Sequence, residues 1–240
     1  IIANSNFTRN LLIKGGVDAQ RIRVIHPGTD PHQFCPGPKP NELIHQMNLS
    51  ERKVALSVGR LTVRKGQDMT IEAWPKVLEK VPNAVYLIVG TGEYEHHLRE
   101  LAKKMGVERS ICFIGEVTAE ELPRIYRMAD LFIMPSRQLP GSRDVEGFGI
   151  VYLEAGASGL PCIGGRCGGI PDAIEDGRTG ILVDGDSPNE IALAVVDLFN
   201  NPKRASSMGD MARHRVLESF TWERSATNIR RLIDSIERDK

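Results

Sequence analysis

Short apolar runs alternate with amphipathic stretches along most of this chain. Ile1-Ile2-Ala3 reads as the end of a strand. Ser5 can cap a helix to about Lys14, where Gly15-Gly16 stops it. Arg21 to Ile25 reads as a second short strand and His26-Pro27-Gly28-Thr29-Asp30 as a turn. Pro31 to Pro40 holds four prolines and reads as a linker. From Lys53 the rhythm becomes regular. Strands are predicted at Val54–Val58, Ala84–Val89, Ser110–Ile114, Leu131–Met134, Pro161–Ile163 and Gly180–Val183. Helices are predicted between them. One spans Gln67 to Leu78, with Pro75 expected to kink or stop it, and another spans Glu93 to Met105. Thr118-Ala119-Glu120-Glu121 is a capping box opening a helix to Met128, and Ser187-Pro188-Asn189-Glu190 opens another. Helices over about Lys203 to Glu218 and Trp222 to Arg238 close the chain.

Strands alternating with helices at this spacing imply an α/β fold with a parallel, Rossmann-like sheet and helices on both faces. Ligands of such sheets bind beyond the carboxyl ends of the strands, where the glycine loops of this chain fall.

Bulk composition narrows the function classes. The 240 residues carry 31 basic and 31 acidic side chains, so no general nucleic-acid surface is expected. Cys35, Cys112, Cys162 and Cys167 form no C-x-x-C pair, which argues against zinc or a redox motif. Cys112 and Cys162 lie in apolar runs and are expected to be buried and inert. No apolar run reaches transmembrane length. Because the chain opens directly in a strand without methionine, it reads as a piece of a longer protein.

The candidate chemistry centres on Val145-Glu146-Gly147-Phe148-Gly149-Ile150-Val151-Tyr152-Leu153-Glu154-Ala155. Two glutamates flank a glycine–aromatic–glycine turn and the start of an apolar helix. The glycines allow a tight bend and close ligand approach, and the first helix amides favour an anion. Glu146 would sit at the mouth of a site, with Glu154 one helical turn deeper. An ordinary amphipathic helix behind a glycine turn accounts for the same residues without a ligand.

Gly59-Arg60-Leu61-Thr62-Val63-Arg64-Lys65-Gly66 lacks a P-loop ending but places Arg60 and Lys65 at a strand's carboxyl end. A guanidinium fork and an ammonium suit a diphosphate there, although solvated surface cations are the usual case. Arg64 is an extra cation without an assigned role. Gly90-Thr91-Gly92 follows the next strand, but Glu95 replaces the third glycine of a dinucleotide fingerprint. Arg137 and Arg143, in the loop before Glu146, read as phosphate or acceptor contacts or as exposed loop charges. Asp184-Gly185-Asp186 reads as a polar turn rather than a metal site, and His96-His97 as surface residues.

E-G-F-G-I-V-Y-L-E-A resembles the E-x(7)-E motif of retaining glycosyltransferases of family 4, which have the two-Rossmann-domain (GT-B) architecture. G-R-L-x(3)-K-G resembles the phosphate-clamp loop of that family. I-H-P-G-T-D is similar to its hinge-leading turn, and the block from Pro135 to Ala155 resembles the mannosyltransferases that extend phosphatidylinositol mannosides. The family's G-G-x-P-E pattern carries Asp172 in place of glutamate, so Asp172 stays outside the expected site.

The resemblance implies residues 1–36 as the tail of an acceptor domain plus hinge, and residues 37–240 as the donor-binding half of a GT-B fold. It implies retaining transfer from a nucleoside-diphosphate sugar, with GDP-mannose as the best guess, to a lipid or saccharide acceptor. Glu146, Arg60 and Lys65 would serve catalysis. Gly147, Phe148, Gly149, Ile150, Glu154, Gly90, Gly92 and Val117 would contact the donor, with Glu154 on the ribose. No metal or other cofactor is implied. The expected partners are the donor and an N-terminal acceptor domain. The setting is cytoplasmic, with room for peripheral membrane contact at the inner face through that domain. A non-catalytic nucleotide-sugar-binding module and a dinucleotide-dependent oxidoreductase domain remain the alternatives.

Overall fold

A computed structural model describes residues 1–142 and 144–238. The opening segment contains β1 (Ile2–Ala3), α1 (Asn6–Lys14), β2 (Arg23–Val24) and α2 (Asn41–Gln46). β1 and β2 pair in parallel as a separate two-stranded sheet. Ser5 caps α1 by accepting from the Thr8 amide, as its sequence predicts. The second strand is shorter than Arg21–Ile25.

The regular part runs β3 (Lys53–Val58), α3 (Gln67–Lys80), β4 (Ala84–Val89), α4 (Glu95–Lys104), β5 (Ile111–Gly115), α5 (Leu122–Tyr126) and β6 (Leu131–Met134). It continues through α6 (Ile150–Ala157), β7 (Cys162–Gly165), α7 (Ile170–Ala173), β8 (Gly180–Val183), α8 (Pro188–Asn200), α9 (Pro202–Ser219) and α10 (Trp222–Arg238). The six strands from β3 to β8 form one sheet in the order β5-β4-β3-β6-β7-β8, with every pairing parallel. Their near-continuous apolar sequences fit a sheet covered on both faces.

Alternation along β3 divides the core. Val54, Leu56 and Val58 face one layer with Phe132, Met134, Tyr126, Tyr152 and Leu153, under α5 and α6. Ala55 faces the other with Tyr86, Ile88, Ile133, Trp74 and Val195, under α3 and α8. Ser57 is fully buried among these strands, and its hydroxyl meets Tyr86 Oη at 2.7 Å and donates to the Ile133 carbonyl.

Two helix expectations need correction. α3 passes through Pro75 to Lys80 without stopping. Pro75 forfeits a bond to the Ile71 carbonyl, but Ile71, Trp74 and Val77 are fully buried on the sheet. Their packing outweighs the cost of about 3 kcal/mol for an interior proline. The Thr118–Glu121 capping box forms, with Glu121 Oε2 accepting from the Thr118 amide at 2.9 Å and Thr118 Oγ1 accepting from the Glu121 amide at 3.2 Å. Regular helix nevertheless begins only at Leu122 and ends at Tyr126.

Candidate functional site

Sheet order locates the site. From β3 the chain crosses by α3 to β4 on one side, and from β6 it crosses by α6 to β7 on the other. The neighbouring strands β3 and β6 therefore bound a topological switch point, the place where ligands of such sheets usually bind. The loop after β3 carries Arg60, Arg64 and Lys65, and the loop after β6 carries Arg137, Asp144 and Glu146.

These loops meet through charge. Lys65 Nζ donates to Glu146 Oε2 at 2.6 Å, and Arg64 Nη1 donates to the same oxygen at 2.9 Å. Arg64 Nε lies 3.0 Å from Asp144 Oδ2 as an ion pair. The Lys65 and Glu146 side chains are each 13% exposed, while that of Asp144 is 69% exposed. Burial opposes charge on Glu146, but the Lys65 ammonium and Arg64 guanidinium together outweigh it and hold the carboxyl below its ordinary range. Arg64 and Asp144 were not expected here. Arg64's adjacency to Lys65 was a local signal, whereas Asp144 had none.

Behind Glu146 the chain turns into α6. Gly149 caps the helix at φ 93°, a backbone region costly for other residues. No side chain caps α6 and no acidic residue occupies its first turn. Its first amides remain available to an anion. Gly147 lies against Asn4, whose Nδ2 would be 3.0 Å from an added Cβ. Ile150, in the first turn, is 38% exposed. Glu154 sits one turn in, where Tyr126 Oη donates to its Oε2 at 2.8 Å. Burial raises the Glu154 carboxyl above its ordinary range, with partial relief from the Tyr126 hydroxyl.

Phe148 points its side chain inward. Its ring is buried, with centroids 5.3 Å from His26 and 5.7 Å from Phe220. The side chain belongs to an aromatic cluster under the turn, which leaves only backbone for ligand contact.

The remaining expected residues divide. Arg60 is exposed, and its guanidinium makes no hydrogen bond or ion pair with a described residue. Gly90 and Gly92 pack on the neighbouring loop, where added Cβ atoms would collide with backbone of Gly59 and Leu61. Leu61 also donates to the Thr91 carbonyl at 3.0 Å, so loop packing accounts for both glycines. Val117 is half-buried against the core layer beneath α5 and α6.

Arg137 is neither a surface charge nor a free anion ligand. Its Nη1 and Nη2 donate to the two oxygens of buried Asp68 at 2.8 and 2.6 Å. Asp186 approaches its Nε at 3.1 Å, and Tyr94 Oη donates to Asp68 at 3.2 Å. The Arg137 amide donates to the Arg64 carbonyl at 2.9 Å, which ties this pair to the clamp loop. Arg143 lies outside the described residues. Asp172 accepts from the Asn6 amide at 2.6 Å and meets His26 Nε2 at 3.0 Å, joining the opening segment to the sheet domain. All four cysteines are free, and burial pushes the thiols of Cys112 and Cys162 up. Among the described residues, no cluster of three or more His, Cys, Asp or Glu side chains could hold a metal ion, and no helix is long and apolar enough to cross a membrane.

Comparison with known proteins adds to this geometry. The model of the family described as glycosyl transferases group 1 matches residues 41–215. The chain is 38% identical over 230 residues to the GDP-mannose-dependent alpha-(1-6)-phosphatidylinositol monomannoside mannosyltransferase of Mycolicibacterium smegmatis, covering 95% of this chain and 60% of that protein. It thus spans about 60% of the length of such relatives. Anabaena Alr3699/HepE, solved with UDP and glucose, superposes with a TM-score of 0.87 at 23% identity, over 98% of this chain and 62% of that one. The C-terminal domain of the glycosyl transferase group 1 family protein LpcC from Francisella tularensis superposes with a TM-score of 0.71 at 26% identity, over 81% of this chain and 99% of that one.

Proposed function

We propose that this chain, which belongs to the glycosyl transferases group 1 family, is the donor-binding half of a retaining GT-B glycosyltransferase. Its donor is a nucleoside-diphosphate sugar. The mannosyltransferase relatives support GDP-mannose, and a lipid or saccharide accepts the sugar. The observation that carries this reading is the Lys65–Glu146 contact, which sets a cation and a carboxylate beside the uncapped start of α6 at the switch point.

Each group has a role in that reaction. As the sugar–phosphate bond breaks, negative charge gathers on the departing diphosphate. Lys65, Arg60 and the first amides of α6 stabilise it, with no metal ion required. Glu146 accepts a sugar hydroxyl close to the reacting carbon. Glu154 accepts the ribose hydroxyls, and its raised carboxyl is the cost of holding that acceptor in a partly apolar place.

Residues 37–240 form the donor half in this reading, with residues 1–36 as tail and hinge of an acceptor domain. The acceptor domain aligns the acceptor, excludes water and makes any peripheral membrane contact on the cytoplasmic side. Positioning of this kind is worth about 7–11 kcal/mol of barrier, so the 240-residue chain alone transfers sugar negligibly.

Calorimetry with GDP-mannose, GDP, UDP-glucose and NADH tests the binding reading. GDP-mannose and GDP are expected to bind, and preference for NADH returns the chain to the oxidoreductase alternative. Transfer from labelled GDP-mannose is then compared between this chain and the same chain joined to an acceptor domain. Comparable rates overturn the half-enzyme reading, and no transfer by either points to a non-catalytic module.

A further inference from the structure

Two cations converge on one carboxylate oxygen, and the proposed reaction employs only one of them. Lys65 and Arg64 both bond Glu146 Oε2, while Glu146 Oε1 has no hydrogen-bond partner among the described residues. Arg64 is fixed from two further directions. Its Nε lies 3.0 Å from Asp144 Oδ2 as an ion pair without hydrogen-bond geometry, and its carbonyl accepts from the amide of Arg137, itself locked to buried Asp68. The guanidinium therefore spans Asp144 and Glu146, two carboxylates of one loop. A guanidinium spreads its charge over several nitrogens and so faces both carboxylates, whereas an ammonium concentrates its charge at one point.

Lys65 uses one of its three donors on Glu146, and a diphosphate at the same ammonium would draw its charge and position away from that carboxylate. If it were the only cation present, its departure would strand a largely buried carboxylate, which would take up a proton or swing away. We propose that Arg64 is a positioning residue: it anchors Glu146 Oε2 so that Lys65 is released to the diphosphate while Oε1 stays free for a sugar hydroxyl. This rests on the roles given above to Lys65 and Glu146.

The other titratable groups near Glu146 are Asp144 on its own loop, Tyr152 from α6 and Cys167 after β7. Burial raises the last two, Cys167 to about 11, so both stay neutral through the range of the test. Arg64 and Lys65 are thus the cations that set the charge of Glu146.

The test measures GDP-mannose and GDP affinity by calorimetry for wild type, Arg64→Ala and Arg64→Lys between about pH 4 and about pH 8. The ratio of the two affinities isolates the sugar contacts. In Arg64→Ala this ratio is expected to fall about tenfold at neutral pH, and to collapse at a higher pH than in wild type. Arg64→Lys, which keeps charge and fold, should lie between. A carbon-13 titration of the Glu146 carboxyl, assigned with Glu146→Gln, should show its midpoint moved up in Arg64→Ala. Equal loss of both ligands with an unchanged ratio makes Arg64 a diphosphate contact and overturns the proposal. An unmoved Glu146 midpoint overturns it as well. If wild type binds neither ligand, the donor-site reading has failed and this inference with it, an outcome distinct from the other two.

Discussion

Lys65 Nζ sits 2.6 Å from Glu146 Oε2 across the switch point, so a diphosphate and a carboxylate compete for one ammonium. Glu146→Gln removes the competing charge and leaves the sugar hydroxyl only a neutral amide oxygen, a weaker acceptor than a carboxylate. GDP affinity should hold or rise, while the added affinity of GDP-mannose over GDP should shrink. Calorimetry with both ligands checks this, and parallel loss of GDP and GDP-mannose would show that Glu146 serves the nucleotide.

Arg60 and Lys65 should separate by stability. Alanine at either is expected to weaken GDP by about tenfold or more, as for charge-assisted phosphate contacts. Arg60→Ala should leave the melting temperature unchanged, because the side chain is exposed and pairs with no described residue. Lys65→Ala should also lower it, because Glu146 loses a buried partner. Thermal melts beside the titrations distinguish the two.

Breaking the Asp68–Arg137 pair should be among the costliest single changes in the chain. Both residues are buried, at 4% and 6% exposure. Asp68→Ala leaves the buried guanidinium with exposed Asp186 as its remaining carboxylate and should cost about 3–5 kcal/mol. Denaturant unfolding reads this directly. A loss near zero would mean that the pair does not persist in solution.

Glu154 should show the opposite of an ordinary surface carboxylate. Its folded carboxyl titrates above its unfolded one, so ionisation is easier in the unfolded chain. Stability attached to this group is therefore present at low pH and lost as pH rises from the unfolded range through the folded one. Glu154→Gln should raise the melting temperature at neutral pH, with the gain disappearing in acid, and should weaken GDP. Melts across pH with a GDP titration check both halves.

Donor binding should not depend on a divalent cation. GDP-mannose affinity in excess chelator is expected to match that in magnesium. A loss restored by magnesium or manganese would place Asp184-Gly185-Asp186, or groups outside this chain, in the site.

The local pattern determined the fold class. Ala84–Val89, Leu131–Met134 and Gly180–Val183 are strands with the bounds their apolar runs imply, and Ser5 and Ser187 cap the helices they precede. These features depend on neighbours within a few residues, so sequence alone carries them. The glycine turn and Glu154 were legible for the same reason, since their spacing lies within one turn and one helix. The partners of those residues were not legible. Arg137 reads locally as a loop cation, yet it is buried because Asp68, distant in sequence, is carried to it by the β3–β6 pairing. Phe148 reads as part of a ligand turn, yet His26 and Phe220 enclose it from the two ends of the chain. Arg64 reads as surplus until the switch point sets Glu146 and Asp144 beside it. Helix and strand propensities act within a few residues, whereas the pairing of buried charges is decided by which strands the sheet makes adjacent. Only the tertiary structure specifies that.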